Sequence, residues 1–167
     1  MKTRILLAAT LLVFAGSATA VDQPDAPAAQ DVAGIQHVMN AYHHALAAHD
    51  GQAVSALFLD QRGLLVTALS DQAFAAAKAK DPAKQKVRIM RYQDFAKFVA
   101  NTKSTLDPRH TDMQIRSDGT VASVYFHFDF VVDGNVENRG DETWQLIKTA
   151  DGWRIVAITY SSNPGAA

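Results

Sequence analysis

Between Arg109 and Tyr160 the chain carries three Asp-Gly pairs, Asp118-Gly119, Asp133-Gly134 and Asp151-Gly152, each set between long runs rich in apolar and β-branched residues. Tight turns that follow the twist of paired strands need positive φ, which Gly accepts without steric cost, so this pattern is a strong hairpin signal. Three in succession predict a four-stranded antiparallel meander: Arg109 to Arg116, Val121 to Val132, Asn135 to Lys148 and Trp153 to Tyr160. Every upstream element has to pack around that sheet.

Upstream, Ile35, Val38, Met39, Tyr42, Leu46 and His49 recur at helical spacing, with Asp31 placed to cap the start. His43 and His44 fall off this stripe. After Asp50-Gly51, the residues Ala53, Val54, Leu57 and Phe58 suggest a short second helix, and Gly63 to Leu69 reads as a buried strand. Ser70 could cap an Ala-rich helix that Asp81-Pro82 stops, although its many Lys and Ala residues fit a solvated flap as well. Val87 to Met90 fits a short strand. Phe95, Phe98 and Val99 then share one helical face before a break at Asp107-Pro108. Helices segregated to one face of an antiparallel sheet make an α+β domain.

At the start, Lys2 and Arg4 precede an apolar run from Ile5 to Ala15 and the small residues Ala18-Thr19-Ala20, the order of a secretory signal peptide. The expected mature chain begins at Val21, with a flexible lead to Gln30, a domain from Asp31 to Ser162 and a short tail to Ala167. The expected location is periplasmic or secreted. Loss of Lys2 and Arg4 moves the formal net charge from -1 to -3, a poor match for nucleic acid or anionic membrane. With no cysteine there is neither a disulfide framework nor thiolate chemistry.

The closing run Thr143-Trp144-Gln145-Leu146-Ile147-Lys148 through Asp151-Gly152-Trp153-Arg154-Ile155 to Ser161, and the opening run Met39-Asn40-Ala41-Tyr42 through His49-Asp50-Gly51 to Ala56-Leu57-Phe58, resemble the NTF2-like (cystatin-like cone) superfamily in its DUF4440 and SnoaL-like branches. The resemblance implies a cone in which N-terminal helices pack on a curved antiparallel sheet, and a homodimer formed sheet to sheet. It implies no single activity, because the superfamily includes isomerases, epoxide hydrolases, dehydratases, cyclases and noncatalytic binding modules, and function lives in the site rather than the fold. Measured against the ketosteroid isomerase type, the helix tyrosine falls on Tyr42. The base position falls on about Val66 and the acid position near Trp144, and neither carries an acid. That mechanism is therefore not expected here.

If Asp118-Gly119 is a two-residue turn, His110 lies opposite His127 and Asp112 opposite Tyr125, so that His110, Asp112, Tyr125, His127 and Asp129 share a face. Carried through Asp133-Gly134, the same arithmetic adds Glu142 and Trp144. The opposite face holds Met113, Ile115, Val124, Phe126, Phe128 and Phe130, beside Arg139, Thr143 and Gln145. The resemblance puts the Trp144 face inside the cone. Burial of the phenylalanines points to the other face, and a bulge would mix the two. The choice of face stays open at this stage.

No Gly-rich phosphate loop, nucleophile elbow or cofactor signature is present. The pairs His110/Asp112 and His127/Asp129 offer metal-ligand types, but strand residues two apart sit roughly 7 Å from each other, too far for easy joint ligation. The expected function is binding of a small apolar organic molecule, with Tyr42, Phe58, Phe95, His110, Tyr125, Trp144 and Trp153 as contacts. The alternatives are a cofactor-free lyase, isomerase or hydrolase using His127 with Asp112 or Asp129, and a protein-interaction module.

Overall fold

The computed structural model describes residues 27–60 and 63–165. The expected leader, Met1 to Ala20, and most of the lead that follows it lie outside the described residues. The elements run α1 (Ala29–Ala47), α2 (Gly51–Ala56), β1 (Leu64–Leu69), α3 (Asp71–Lys80), β2 (Val87–Arg91), α4 (Tyr92–Asn101), β3 (Leu106–Ser117), β4 (Val121–Val132), β5 (Asn135–Thr149) and β6 (Gly152–Ser162). They form one six-stranded sheet in the order β2-β1-β6-β5-β4-β3. The expected α+β architecture is present, with the meander extended by two upstream strands. β1 joins the last strand, β6, in parallel, and β2 then pairs antiparallel with β1.

The stripe on α1 is the main helical contribution to the core: Ile35, Val38, Met39, Tyr42 and Leu46 are all buried. Two expectations about this helix need correction. The helix begins at Ala29, inside the expected lead, and its N-cap is Ala28 rather than Asp31. Asp31 sits in the first turn, buried, and its carboxylate pairs with Lys148 of β5 at 2.8 Å, fastening the helix start to the sheet. His49 lies beyond the helix with φ 56°, and its Nε2 donates to the Ser104 carbonyl at 3.0 Å. The short helices follow their caps. Asp50 accepts from the Ala53 N–H at the start of α2 and Ser70 from the Ala73 N–H at the start of α3, each quieting one of the unpaired donors that open a helix.

The hairpin registers depart from the expected arithmetic in a way that decides the site. Ser117 pairs with Ala122, not Thr120, so the β3–β4 connection is two residues longer than a tight turn, which by itself leaves the faces unchanged. A bulge between Thr111 and Gln114, with Asp112 at φ 55°, then inserts one extra residue and reverses the faces beyond it. His110 pairs with Phe128 and Thr111 with His127. The β4–β5 hairpin starts as predicted, with Val132 beside Asn135, but a second shift next to Phe130 puts Glu142 opposite Phe126 and Trp144 opposite Val124.

Both arguments about the concave face therefore hold together. Phe126 and Phe128 are buried there with Trp144 and Glu142, and half-buried His110 joins them from β3. The outer face receives Tyr125, His127, Asp129, Arg139 and Asp141. Gly140 lies on the inner face of β5 where β6 passes closely: a Cβ there would meet Ser161 Oγ at 2.4 Å and the Ser161 carbonyl at 2.5 Å. Gly140→Ala should cost about 1–3 kcal/mol, the usual range for forced overpacking, seen as a lower urea midpoint with an unchanged slope.

Candidate functional site

Between the helices and the concave sheet lies a cavity of about 410 Å³, lined among others by Tyr42 of α1, Phe95 and Phe98 of α4, His110 of β3, Phe128 and Phe130 of β4, Glu142 of β5 and Tyr160 of β6. That volume is within the range of small-molecule sites. Burial grades along it. Tyr42, Leu65, Phe95, Phe128, Glu142 and Ile158 are buried at the floor, whereas Phe98 is 47% exposed and Arg88 is exposed at the mouth.

Alternation along β5 turns Glu142, Trp144 and Leu146 inward together, and the indole N–H of Trp144 donates to Glu142 Oε1. Burial pushes the Glu142 carboxyl up to about 7, and the Trp144 bond, which favours the charged form, only partly opposes this. Tyr42 stands edge-on to Trp144, with ring centroids 5.0 Å apart, and lies parallel to Phe95 at 6.2 Å. Burial holds its phenol well above 10.0, with Glu142 and Tyr160 adding to the shift. It is a neutral hydrogen-bond donor at any ordinary pH.

His110 stacks on Phe126 at 4.0 Å and meets Trp144 edge-on at 6.1 Å. Burial, with a contribution from His43, lowers it to about 3, so it is a neutral imidazole near pH 7. Its Nδ1 lies 3.0 Å from Nε2 of His43, which packs beside it from α1. Burial lowers His43 as well, against Asp107, which raises it. One ring must donate in this bond and the other accept. The two neutral rings consequently hold the same tautomer, both protonated at Nδ1 or both at Nε2, and a change in one requires a change in the other.

Of the residues expected to contact a ligand, Tyr42, Phe95 and His110 line the cavity, and Trp144 stands directly behind Glu142 and Tyr42. Phe58 is buried in the core, stacked on Tyr92 at 4.7 Å. Trp153 is buried against Gly34 and lines a separate shallow pocket with His37 and Lys148. Tyr125 is on the outer face, in edge contact with His127.

The expected trio of His127, Asp112 and Asp129 is not brought together. His127 pairs with Asp141 on the outer face, Asp129 pairs with Arg139, and Asp112 occupies the exposed bulge. Glu142, His43 and Arg88 also belong to this candidate site without having stood out in the sequence. The first was signalled by its two-residue spacing from Trp144. Among the described residues no cluster of three or more His, Asp or Glu is arranged to hold a metal ion, and no helix is long and apolar enough to cross a membrane.

Similar folds occur in a Mycobacterium tuberculosis protein of unknown function (TM-score 0.61, 15% identity, covering 83% of this chain and 78% of that one) and in an NTF2-like protein of unknown function from Shewanella baltica (TM-score 0.59, 16% identity, 84% and 100%). A third is an NTF2-like protein with a cystatin-like fold from Novosphingobium aromaticivorans (TM-score 0.57, 16% identity, 83% and 85%). At these identities the likeness is one of fold. No curated protein matches the chain. The family model for the SnoaL-like domain matches residues 35–164, and the chain, whose fold is the cone shared with NTF2-like proteins, belongs to the SnoaL-like family.

Proposed function

We propose that the cone takes up a small, largely apolar organic molecule bearing a carbonyl, and that Glu142 exchanges a proton with the carbon beside that carbonyl. The observation that carries this reading is a buried carboxyl at the floor of an apolar cavity, held near pH 7 by burial. A carboxyl serving only to fill space would cost more than an apolar residue of similar size. A base tuned near the working pH is the form that proton transfer favours.

In such a step the C–H electron pair becomes the enolate π system and the proton moves to Glu142. The oxygen charge that develops is met by the Tyr42 hydroxyl, and by His110 when its Nε2 carries the proton. The proton then returns to the same or a conjugated carbon. No external reagent is consumed.

Incubation of β-tetralone with the protein in deuterium oxide tests this without knowledge of the natural substrate. Deuterium should enter the α-position faster than in buffer alone, with a rate that rises through about pH 7 as the carboxylate forms. Glu142→Gln should reduce the enzymic rate at least about 100-fold, the lower end of what a positioned base supplies. If β-tetralone binds, seen as a change in tryptophan fluorescence, and is not exchanged, the cone is a binding module and the proton-transfer reading fails.

A further inference from the structure

The register of the sheet places four residues of four adjacent strands in one row: Glu142 pairs with Tyr160, Tyr160 with Thr67, and Thr67 with Arg88. At about 4.8 Å per strand the row spans roughly 14 Å from the buried carboxyl at the floor to the guanidinium at the mouth. Among the described residues, Arg88 is the one Lys or Arg in the cavity lining. Among the described residues it has no ion-pair partner, although β2 neighbours on either side do, Lys86 with Asp71 and Arg91 with Asp94.

Asn138, on β5 like Glu142, supplies a separate donor to the cavity wall. The side-chain oxygen of Asn138 accepts from the Asn163 backbone N–H at 2.8 Å and from the Ser162 hydroxyl at 3.1 Å. A backbone N–H can only donate, so this fixes the amide orientation and leaves the Asn138 NH₂ unused by that bond, on a side chain that lines the cavity. Tyr160 stands next to Glu142 in the row, two strands from Arg88. The lining's carboxylate, Glu142, is three strands away from the arginine.

We infer that the ligand is an amphipathic organic acid whose carboxylate sits at the mouth on Arg88, while its apolar body lies among Phe95, Phe128 and Ile158. This rests on the cavity being a ligand site, as proposed above, and adds the charge and orientation of what enters it. The opposite orientation would set a ligand carboxylate against Glu142 in a low-dielectric floor, where like charges repel most strongly. The formal net charge of the chain is negative, so selection of an anion has to come from this local group and not from the field of the whole molecule.

The test uses a matched pair of probes, phenylbutyrate and phenylbutyramide, titrated calorimetrically and by tryptophan fluorescence at pH 8. Phenylbutyrate should bind about tenfold more tightly than the amide, through a charge-assisted pair that salt weakens. Arg88→Gln should abolish that advantage, and Arg88→Lys should restore part of it, because Lys keeps the charge and loses the fork. Equal affinities of the two probes for the wild-type protein, or an acid preference that survives Arg88→Gln, would overturn the anion subsite. If neither probe binds, the cavity reading itself fails, and the anion subsite fails with it. Binding of both probes without discrimination removes the subsite alone.

Discussion

Glu142→Gln should make the protein more stable at pH 8 by about 3 kcal/mol even as it removes proton transfer. The folded carboxyl is raised from 4.5 to about 7, and each pH unit of such a difference is worth about 1.4 kcal/mol. A carboxyl raised on folding binds more protons in the native state between those two values. Stability therefore falls as pH rises from about 4.5 to about 7 and stays low above that. Glutamine keeps the oxygen that accepts from Trp144 and never ionises, so it escapes this loss.

His110 acts in the opposite sense. Lowered from 6.5 to about 3, it binds fewer protons folded than unfolded, so stability is lost as pH falls through that window. In the wild type the two slopes oppose each other between about pH 4.5 and 6.5, leaving a plateau with a decline on each side. Denaturant unfolding from pH 4 to 9 checks both parts. The variant should lose the alkaline decline and keep the acid one, and an unchanged alkaline limb would mean that Glu142 is not the buried acid described here. A functional group that destabilises its own fold is the common pattern for active sites.

Trp144→Ala should cost about 3–5 kcal/mol, the usual range for removing a large buried aromatic. Trp144 is fully buried and is a contact shared by Tyr42, Phe126 and His110. Against a total of about 5–15 kcal/mol for a domain, that is a large fraction, and thermal unfolding should show it as a broad, early transition or as loss of the folded state. Trp144→Phe separates packing from chemistry. It keeps most of the volume but removes the N–H that favours the ionised carboxyl, so the pH midpoint of β-tetralone exchange should move upward while the protein stays folded. A midpoint that stays put would show that the indole bond does not tune Glu142.

The elements of this chain were legible because their signals are local. Asp118-Gly119, Asp133-Gly134 and Asp151-Gly152 mark the turns, and each glycine takes positive φ. The α1 stripe and the Ser70 cap are likewise readable from neighbours three or four residues apart. Register was not legible beyond the turns, because a bulge adds a residue without any required composition. The extra residue beside Asp112 moved His110 from the face of His127 to the face of Phe128. The shift beside Phe130 carried Glu142 and Trp144 to the phenylalanine side.

Arg88 was hidden for a different reason. β2 is exposed along most of its length, so its sequence shows no burial period, and its place at the cavity mouth comes from pairing through β1 to a distant strand.

That distant pairing sets the order in which the protein can be made. Leu64 lies beside Ala157, partners separated by roughly ninety positions, and β1 and β2 reach the rest of the sheet only through β6. Non-local pairing of this kind slows folding, because loop-closure entropy has to be met before the contacts form. The helices and first two strands therefore leave the ribosome without the strand that docks them, and Leu65, Arg88 and Met90 join the cavity wall only after the final strand is synthesised. A nascent chain halted between β5 and β6 would carry Tyr42, His110 and Glu142 with no enclosed cavity around them.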